Sequence, residues 1–126
     1  MTSPRSLSSD GQHVQAELRA VLSLAGPDDA TLSLSGGLDT TTTEVLQDTA
    51  ARCLRDEPAS LTVDLRDVAF CDSAGVRALR WVARRAILAG TRCRVVNPQP
   101  QVRRLLMLAD AGELIAVMDH ASPGIV

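Results

Sequence analysis

Residues 61–75 read LTVDLRDVAFCDSAG and combine the pattern of a strand with that of a helix start. Apolar side chains alternate with polar ones over Leu61–Leu65, which is typical of a strand with one buried face, and the apolar path continues to Phe70. The pair Asp72–Ser73 favours the first turn of a helix. That helix is expected to run to Gly90, because glycine commonly follows the last helical residue. A strand joined directly to a helix indicates an α/β fold.

Two further strands are expected upstream, joined as a hairpin. Every even position over Val14–Leu24 is apolar, which indicates a half-buried strand, although the helix formers of residues 14–22 leave a helical start as an alternative. The turn signal Gly26–Asp29 follows, and residues 31–35 alternate again. The two runs predict an antiparallel hairpin. Gly36–Gly37 is expected to end its second strand.

Two more helices flank the strand of residues 61–70. The first is expected to begin near Thr41, which has capping-box spacing to Glu44, with Asp39 as a second candidate cap, and to end before Pro58. Its apolar stripe is Leu46, Ala50, Cys53 and Leu54. The other follows Pro98 and Pro100, and its stripe is Val102, Leu105, Leu106 and Ala109.

These elements predict a single α/β domain. Strands that alternate with single helices form right-handed crossovers and a mostly parallel sheet, which the opening hairpin makes mixed. With a short strand at Cys93–Val96, and Leu114–Met118 as either a last strand or a further helical turn, the sheet has four to five strands and is covered by helices. The expected boundaries are a flexible lead at 1–12, the domain at 13–119 and a flexible tail at 120–126.

Composition excludes several classes of function. The chain of 126 residues has one Phe, one Trp and no Tyr, so it cannot present the stacking platforms that bind single-stranded nucleic acid. A net charge of −2 provides no general attraction for polyanions. No run reaches the length of a membrane span, and the polar start lacks an apolar signal core. We therefore expect a cytoplasmic protein with no direct nucleic-acid or membrane contact.

The second helix has two distinct faces on a helical wheel. Its core face is expected to be Val76, Leu79, Ala83, Ala86 and Ile87. The opposite stripe carries Arg77, Trp81, Arg84 and Leu88, with Ser73 at its head. An apolar ring beside exposed arginines is the residue mix of protein–protein hot spots, so the stripe predicts a binding surface with Trp81 pointing away from the core. The alternative is that Trp81 folds against a loop and the arginines are solvated.

Ser73 itself has two explanations. The free N–H groups and the positive dipole end of a first helical turn would favour a phosphoryl group on Ser73, which Arg77 could also meet. Alternatively, Asp72 or Ser73 simply caps the helix. The short pattern D-S-x-G fits both explanations.

Other chemistry has weaker support. The aspartates that could gather at the C-terminal edge of the sheet and suggest Mg²⁺ are Asp39, Asp64, Asp67 and Asp72, although helix capping and solvation of strand ends explain such residues more often. His13 and His120 are the only histidines, and both lie in the expected flexible or terminal regions, so no Ser–His–Asp triad is credible. No enzyme, metal or cofactor is predicted.

The cysteines Cys53, Cys71 and Cys93 have no CxxC spacing and are expected to be reduced thiols. Cys71 would sense redox state if the helix terminus stabilised its thiolate. Structural burial of Cys71 is the interpretation that we favour.

Three stretches in order resemble the STAS domain, and more narrowly the bacterial anti-sigma factor antagonists: residues 32–39 (LSLSGGLD), 61–65 (LTVDL) and 70–76 (FCDSAGV). The resemblance spans about residues 16 to 119 and includes the third helix, over 102–114 (VRRLLMLADAGEL). One departure is Gly37, which stands where the family usually has a glutamate, while Asp39 still matches.

The resemblance implies partner switching. The unmodified chain would bind an anti-sigma factor with serine kinase activity and so free a sigma factor for transcription. That kinase would phosphorylate Ser73 and cause release, and a serine phosphatase would reset it. The partner surface is expected to comprise Asp39, Asp72, Ser73, Ala74, Gly75, Arg77, Trp81, Arg84 and Leu88. The alternative is a STAS scaffold or sensor module that works without phosphorylation in a larger stress-signalling or lipid-transport complex.

Overall fold

The computed structural model describes residues 17–109, which form four strands and three helices. In chain order these are β1 (Leu18–Gly26), β2 (Asp29–Leu38), α1 (Thr43–Arg55), β3 (Ser60–Cys71), α2 (Ser73–Leu88), β4 (Arg92–Val96) and α3 (Pro100–Leu108). The sheet has the order β1-β2-β3-β4; β1 is antiparallel to β2, and the other two pairs are parallel. The predicted α/β domain with a mixed sheet that opens on an antiparallel hairpin is confirmed. Residues 1–16 and 110–126, with the predictions for both histidines and for Leu114–Met118, lie outside the described residues.

The hairpin of β1 and β2 turns at Gly26–Asp29, as its turn signal predicts. On β2 the even positions over Ala30–Leu34 are buried, and the residues opposite them on β1 share that face of the sheet. Leu22 and Leu24 are nevertheless 41% and 69% exposed. The alternation is therefore confirmed, whereas the expected burial of β1 holds only near its start.

Strand β2 does not end at Gly36–Gly37, and that prediction is wrong. The strand continues to Leu38, with a register shift against β3 at the two glycines. Gly36 has φ of 112°, and a Cβ there would collide with the carbonyl oxygen of Glu17, so only glycine fits. The next amide, on Gly37, donates to that same carbonyl oxygen at 2.8 Å. The glycine pair admits a neighbouring backbone into close contact instead of stopping the strand.

The core lies between the sheet and the helices. Because the crossovers β2-α1-β3 and β3-α2-β4 move across the sheet in one direction, right-handed connections place α1 and α2 on the same face. The predicted stripe of α1 is buried, as are the alternating apolar residues of β3 at 61, 63 and 65. On α3, Val102 and Leu106 are buried, and Leu105 and Ala109 pack at the edge of the core. None of the helices over residues 17–109 is long and apolar enough to cross a membrane.

The buried face of α2 differs from the expected one. Its buried residues are Gly75, Val76, Ala78, Leu79, Val82, Ala83 and Ala86. Ile87, predicted to be in the core, is 71% exposed. The reason is that the buried stripe is centred on Leu79, Val82 and Ala86, which leaves Ile87 at its margin in the last helical turn.

Candidate functional site

The candidate site begins where β3 ends and α2 starts. Asp72 is the N-cap of α2, and its backbone is extended. Its Oδ1 accepts hydrogen bonds from the backbone N–H groups of Ala74 at 2.9 Å and Gly75 at 3.1 Å. Its backbone carbonyl accepts from Val76 N at 3.0 Å. Of the two residues that could cap the helix, Asp72 is therefore the cap.

Ser73 is the first residue of α2, and its side chain is exposed. Two of the first-turn N–H groups that the sequence analysis expects to be free, those of Ala74 and Gly75, instead donate to Asp72. The Asp72 carboxylate also lies one residue away from Ser73. An anion added to Ser73 would therefore lie near a like charge, and the amides of Ala74 and Gly75 already have an acceptor.

Gly75 sets how closely α2 approaches the end of β2. A Cβ at Gly75 would lie 2.7 Å from Cys71 Sγ, 2.7 Å from the Leu38 carbonyl oxygen and 2.9 Å from Leu38 Cβ, so nothing larger than glycine fits without movement. The fold thus gives Asp72 a capping role and Gly75 a packing role. Ser73 is the member of the D-S-x-G pattern that stands exposed between them.

A second loop, after β2, lies beside the first. Leu38 and Cys71 are paired at the ends of β2 and β3, and the Asp72 amide donates to the Leu38 carbonyl at 3.1 Å. Asp39 and Asp72 are therefore the residues that follow two paired strand ends. Asp39 Oδ1 accepts from the backbone N–H of Thr41 at 2.8 Å and from its hydroxyl at 2.7 Å, so Asp39 orders its own loop.

The predicted capping box of α1 is wrong. The helix begins at Thr43, and the Thr41 hydroxyl is bound to Asp39 before the helix starts. Thr42 is 4% exposed, and its hydroxyl donates to the Gly37 carbonyl at 2.8 Å while it accepts from Asp39 N at 3.0 Å. This buried hydroxyl ties the loop to β2, and the sequence offered no signal that singled it out from its neighbouring threonines.

The aspartates do not form a metal site. Within residues 17–109 there is no group of three or more His, Cys, Asp or Glu side chains that could hold a metal ion. Asp39 and Asp72 are engaged in their own loops, and Asp64 Oδ1 accepts hydrogen bonds from Arg66 N at 2.9 Å and Asn97 Nδ2 at 3.2 Å. Local hydrogen bonding accounts for Asp39, Asp64 and Asp72, and Asp67 is exposed.

The stripe that Ser73 leads lies along the exposed side of α2. Arg77 and Arg84 are exposed, and Leu88 is 82% exposed. Trp81 is different: it is partly buried, packs against the edge of the core, and has the Arg85 guanidinium carbon 5.2 Å from its ring centroid. The expectation that Trp81 points away from the core is therefore wrong in part, since only one portion of the ring faces solvent.

An open groove of about 450 Å³ runs between the first half of α1 and the first three turns of α2. Its lining includes Thr43 and Gln47 from α1 and Ala74, Arg77, Trp81 and Arg84 from α2. We call this the α1–α2 groove. It brings together Arg77, Trp81 and Arg84 of the predicted stripe and leaves Leu88 outside its lining.

Phe70 is exposed in a position where the sequence indicated burial. It continues the apolar run of β3, yet 52% of its surface is exposed, two residues before the capping Asp72. An exposed aromatic ring beside the site belongs to the residue types enriched in protein interfaces. The apolar run did not predict this exposure, because sequence periodicity does not show where along a strand the packed helices end.

The cysteines behave as buried thiols. Burial, and the nearby charge of Asp72, raise the pKa of Cys71 to about 12. Burial and the neighbouring Cys53 raise the pKa of Cys93 to about 11, and burial with the charge of Asp56 raises the pKa of Cys53. The helix terminus does not stabilise a Cys71 thiolate, so the redox-sensing alternative is not supported.

Comparisons with known proteins give one family and several related folds. The family model of the STAS domain matches residues 22–122. The structure is similar to that of the anti-sigma factor antagonist SpoIIAA in its unphosphorylated form, with 20% identity, a TM-score of 0.66, and coverage of 76% of this chain and 84% of that chain. It is also similar to an anti-sigma factor antagonist from Mycobacterium paratuberculosis, with 24% identity, a TM-score of 0.69, and coverage of 77% and 81%.

The phosphorylated form of Bacillus SpoIIAA is similar as well, with 18% identity, a TM-score of 0.61, and coverage of 76% of this chain and 87% of that chain. A search of curated protein sequences produced no significant match. At these levels of identity, the solved structures establish a shared fold.

Proposed function

This chain belongs to the STAS domain family, and on that basis we propose that it acts as an anti-sigma factor antagonist. In its unmodified form it binds an anti-sigma factor with serine kinase activity and frees a sigma factor for transcription. Phosphorylation of Ser73 by that kinase causes release, and a serine phosphatase reverses it. The chain is the substrate and the competitor in this cycle, acts in the cytoplasm, and catalyses no step itself.

The observation that carries the proposal is the placement of Ser73. Its side chain is exposed at the first position of α2, while its neighbours Asp72 and Gly75 are occupied by capping and packing. A kinase can therefore reach the hydroxyl without unfolding either loop. The proposal is supported further by the similar solved structures, which are those of anti-sigma factor antagonists and include a phosphorylated form.

The switch follows from electrostatics. A phosphoryl group brings nearly two negative charges. On Ser73 these would lie beside the Asp72 carboxylate, which caps α2, and one helical turn before the Arg77 guanidinium. The added charge changes the surface that we propose for the partner, which comprises Asp39, Asp72, Ser73, Ala74, Gly75, Arg77, Trp81, Arg84 and Leu88. Repulsion and desolvation of the phosphoryl group then oppose binding.

Intact-mass spectrometry tests the modification. Incubation with the cognate serine kinase and ATP should add one phosphoryl group to the wild-type chain and none to Ser73→Ala. Ser33→Ala, which changes another exposed serine, is the matched control and should be phosphorylated like wild type. If the wild-type chain gained no mass, or if Ser73→Ala gained the same mass as wild type, the proposed phosphorylation of Ser73 would be wrong.

Partner binding tests the switch. Ser73→Asp should weaken binding of the kinase partner, whereas Ser73→Ala should bind like wild type. If both variants bound like wild type, phosphorylation of Ser73 would not control the interaction. A large and stable assembly on size-exclusion chromatography, unchanged by the kinase, would instead support the scaffold alternative.

A further inference from the structure

Among residues 17–109, every charged side chain that lines the α1–α2 groove is basic. The lining includes Arg77, Arg80 and Arg84, and no acidic side chain from this part of the chain. Arg77 and Arg84 are exposed, and neither forms a salt bridge with any residue over 17–109. Arg77 and Arg84 therefore leave two positive charges at the groove that form no ion pair with residues 17–109, which favours an anionic occupant.

The spacing of the arginines indicates which anion fits. Arg77 and Arg84 are seven residues apart on one stripe of α2, so their Cα atoms are about 10 Å apart along the helix axis. Trp81 lies between them and is held in place by the core edge and by Arg85. Two cationic positions on either side of an apolar one match two separated carboxylates better than one small anion.

The opposite wall of the groove suits a peptide backbone. Thr43 and Gln47 of α1 line it with neutral side chains that donate and accept hydrogen bonds. A chain in the extended polyproline II conformation has three residues per turn and rises about 3.1 Å per residue, so acidic side chains at positions i and i+3 lie on one side of it, about 9 Å apart. This distance is close to the separation of the two arginines along α2.

From these observations we infer that the α1–α2 groove binds an acidic, extended segment of the protein partner. Two of its carboxylates pair with Arg77 and Arg84, and an apolar side chain between them contacts Trp81. The inference rests on the proposed function, because it gives the chemistry of the partner at the same surface. A phosphoryl group on Ser73, one turn before Arg77, competes with the segment for that guanidinium.

Fluorescence anisotropy with a defined probe tests the inference. The probe is a fluorescein-labelled peptide with Glu-Thr-Leu-Glu at its centre and Gly-Ser flanks, and its matched control carries Gln-Thr-Leu-Gln. The wild-type chain should bind the Glu probe at least tenfold more tightly than the Gln probe, and added salt should weaken the binding. Arg77→Glu/Arg84→Glu should lose at least tenfold in affinity. Arg55→Glu/Arg92→Glu, which makes the same change of charge outside the groove, should bind like wild type.

Three results would overturn the inference: equal binding of the Glu and Gln probes, unchanged binding by Arg77→Glu/Arg84→Glu, or displacement of the peptide by inorganic phosphate at constant ionic strength. The last would indicate a small-anion site. Because the Gln probe leaves the protein untouched, the comparison of probes decides the matter even if a variant misfolds. The assay contains no kinase and uses the unmodified chain. If Ser73 is not phosphorylated, the prediction that the groove binds an acidic peptide is therefore unaffected. If the peptide does not bind, the prediction that Ser73 is phosphorylated is likewise unaffected.

Discussion

Replacement of Gly75 by alanine tests whether the contact of α2 with the end of β2 requires glycine. The new methyl group would lie 2.7 Å from the Leu38 carbonyl oxygen and 2.7 Å from Cys71 Sγ, and the first of these is backbone that cannot rotate away. Overpacking costs about 1–3 kcal/mol, and the upper part of that range, about 2–3 kcal/mol, applies here because one contact is with backbone. The change from glycine to alanine in a helix returns up to about 1 kcal/mol. We expect a net loss of about 1–2 kcal/mol in the free energy of unfolding.

Urea denaturation followed by circular dichroism measures this loss, and the melting temperature should fall by about 3–12 °C. A double-mutant cycle with Cys71→Ala separates the two contacts, since the penalty at Gly75 should shrink when the sulfur is absent. Gly90→Ala is the comparison: its Cβ has nothing within 4 Å, but its φ of 76° imposes backbone strain, so its penalty should not depend on Cys71. If Gly75→Ala were as stable as wild type, the packing argument would be refuted.

Three further predictions concern the loops around the site. Asp72→Ala should lower the free energy of unfolding by about 1 kcal/mol, because two backbone amides of α2 lose their acceptor. Asp72→Asn keeps a side-chain oxygen and should retain most of the wild-type stability. Equal losses for the two variants in urea denaturation would contradict the capping role. Thr42→Val should cost about 1–3 kcal/mol in the same assay, since two backbone groups of the loop lose their buried partner, and a neutral result would contradict that role. The pKa of Cys71 is raised from 9.0 to about 12, so the burial of its neutral thiol contributes stability in full below pH 9, and that contribution is lost between pH 9 and pH 12. The free energy of unfolding of Cys71→Ala should therefore fall less between pH 9 and pH 12 than that of wild type. If the two proteins lost stability in parallel over this range, the raised pKa of Cys71 would not be the cause.

Much of the fold is predictable because the buried faces are continuous in sequence. The alternation in β2 and β3 and the four-residue stripe of α1 each have one apolar side that matches the sheet, so period alone locates them. The glycines of β2 show where such reasoning fails. A Gly-Gly pair signals a strand end or a close approach of another backbone, and the contact that decides between them comes from Glu17, which is distant in sequence.

The site was partly predictable for similar reasons. The pattern D-S-x-G indicates the turn from β3 into α2. That Asp72 caps the helix and Gly75 packs against the end of β2 depends on three-dimensional distances, which sequence spacing does not reveal. The orientation of α2 was misjudged because alanines occur on several of its sides and give a weak directional signal. The helical wheel predicts an exposed Trp81 and a buried Ile87. Because the buried stripe of α2 is rotated relative to that wheel, Trp81 is partly buried and Ile87 is exposed.

The single tryptophan gives the groove its own optical signal. The chain contains one Trp and no Tyr, so emission excited at long wavelength arises from Trp81 alone. Because that ring lines the α1–α2 groove and lies near a guanidinium, its quantum yield and emission maximum report on what occupies the groove. A partner or peptide that contains no tryptophan, or a modified form of the chain, can thus be followed at this surface without a label, a property that a chain richer in aromatic residues would lack.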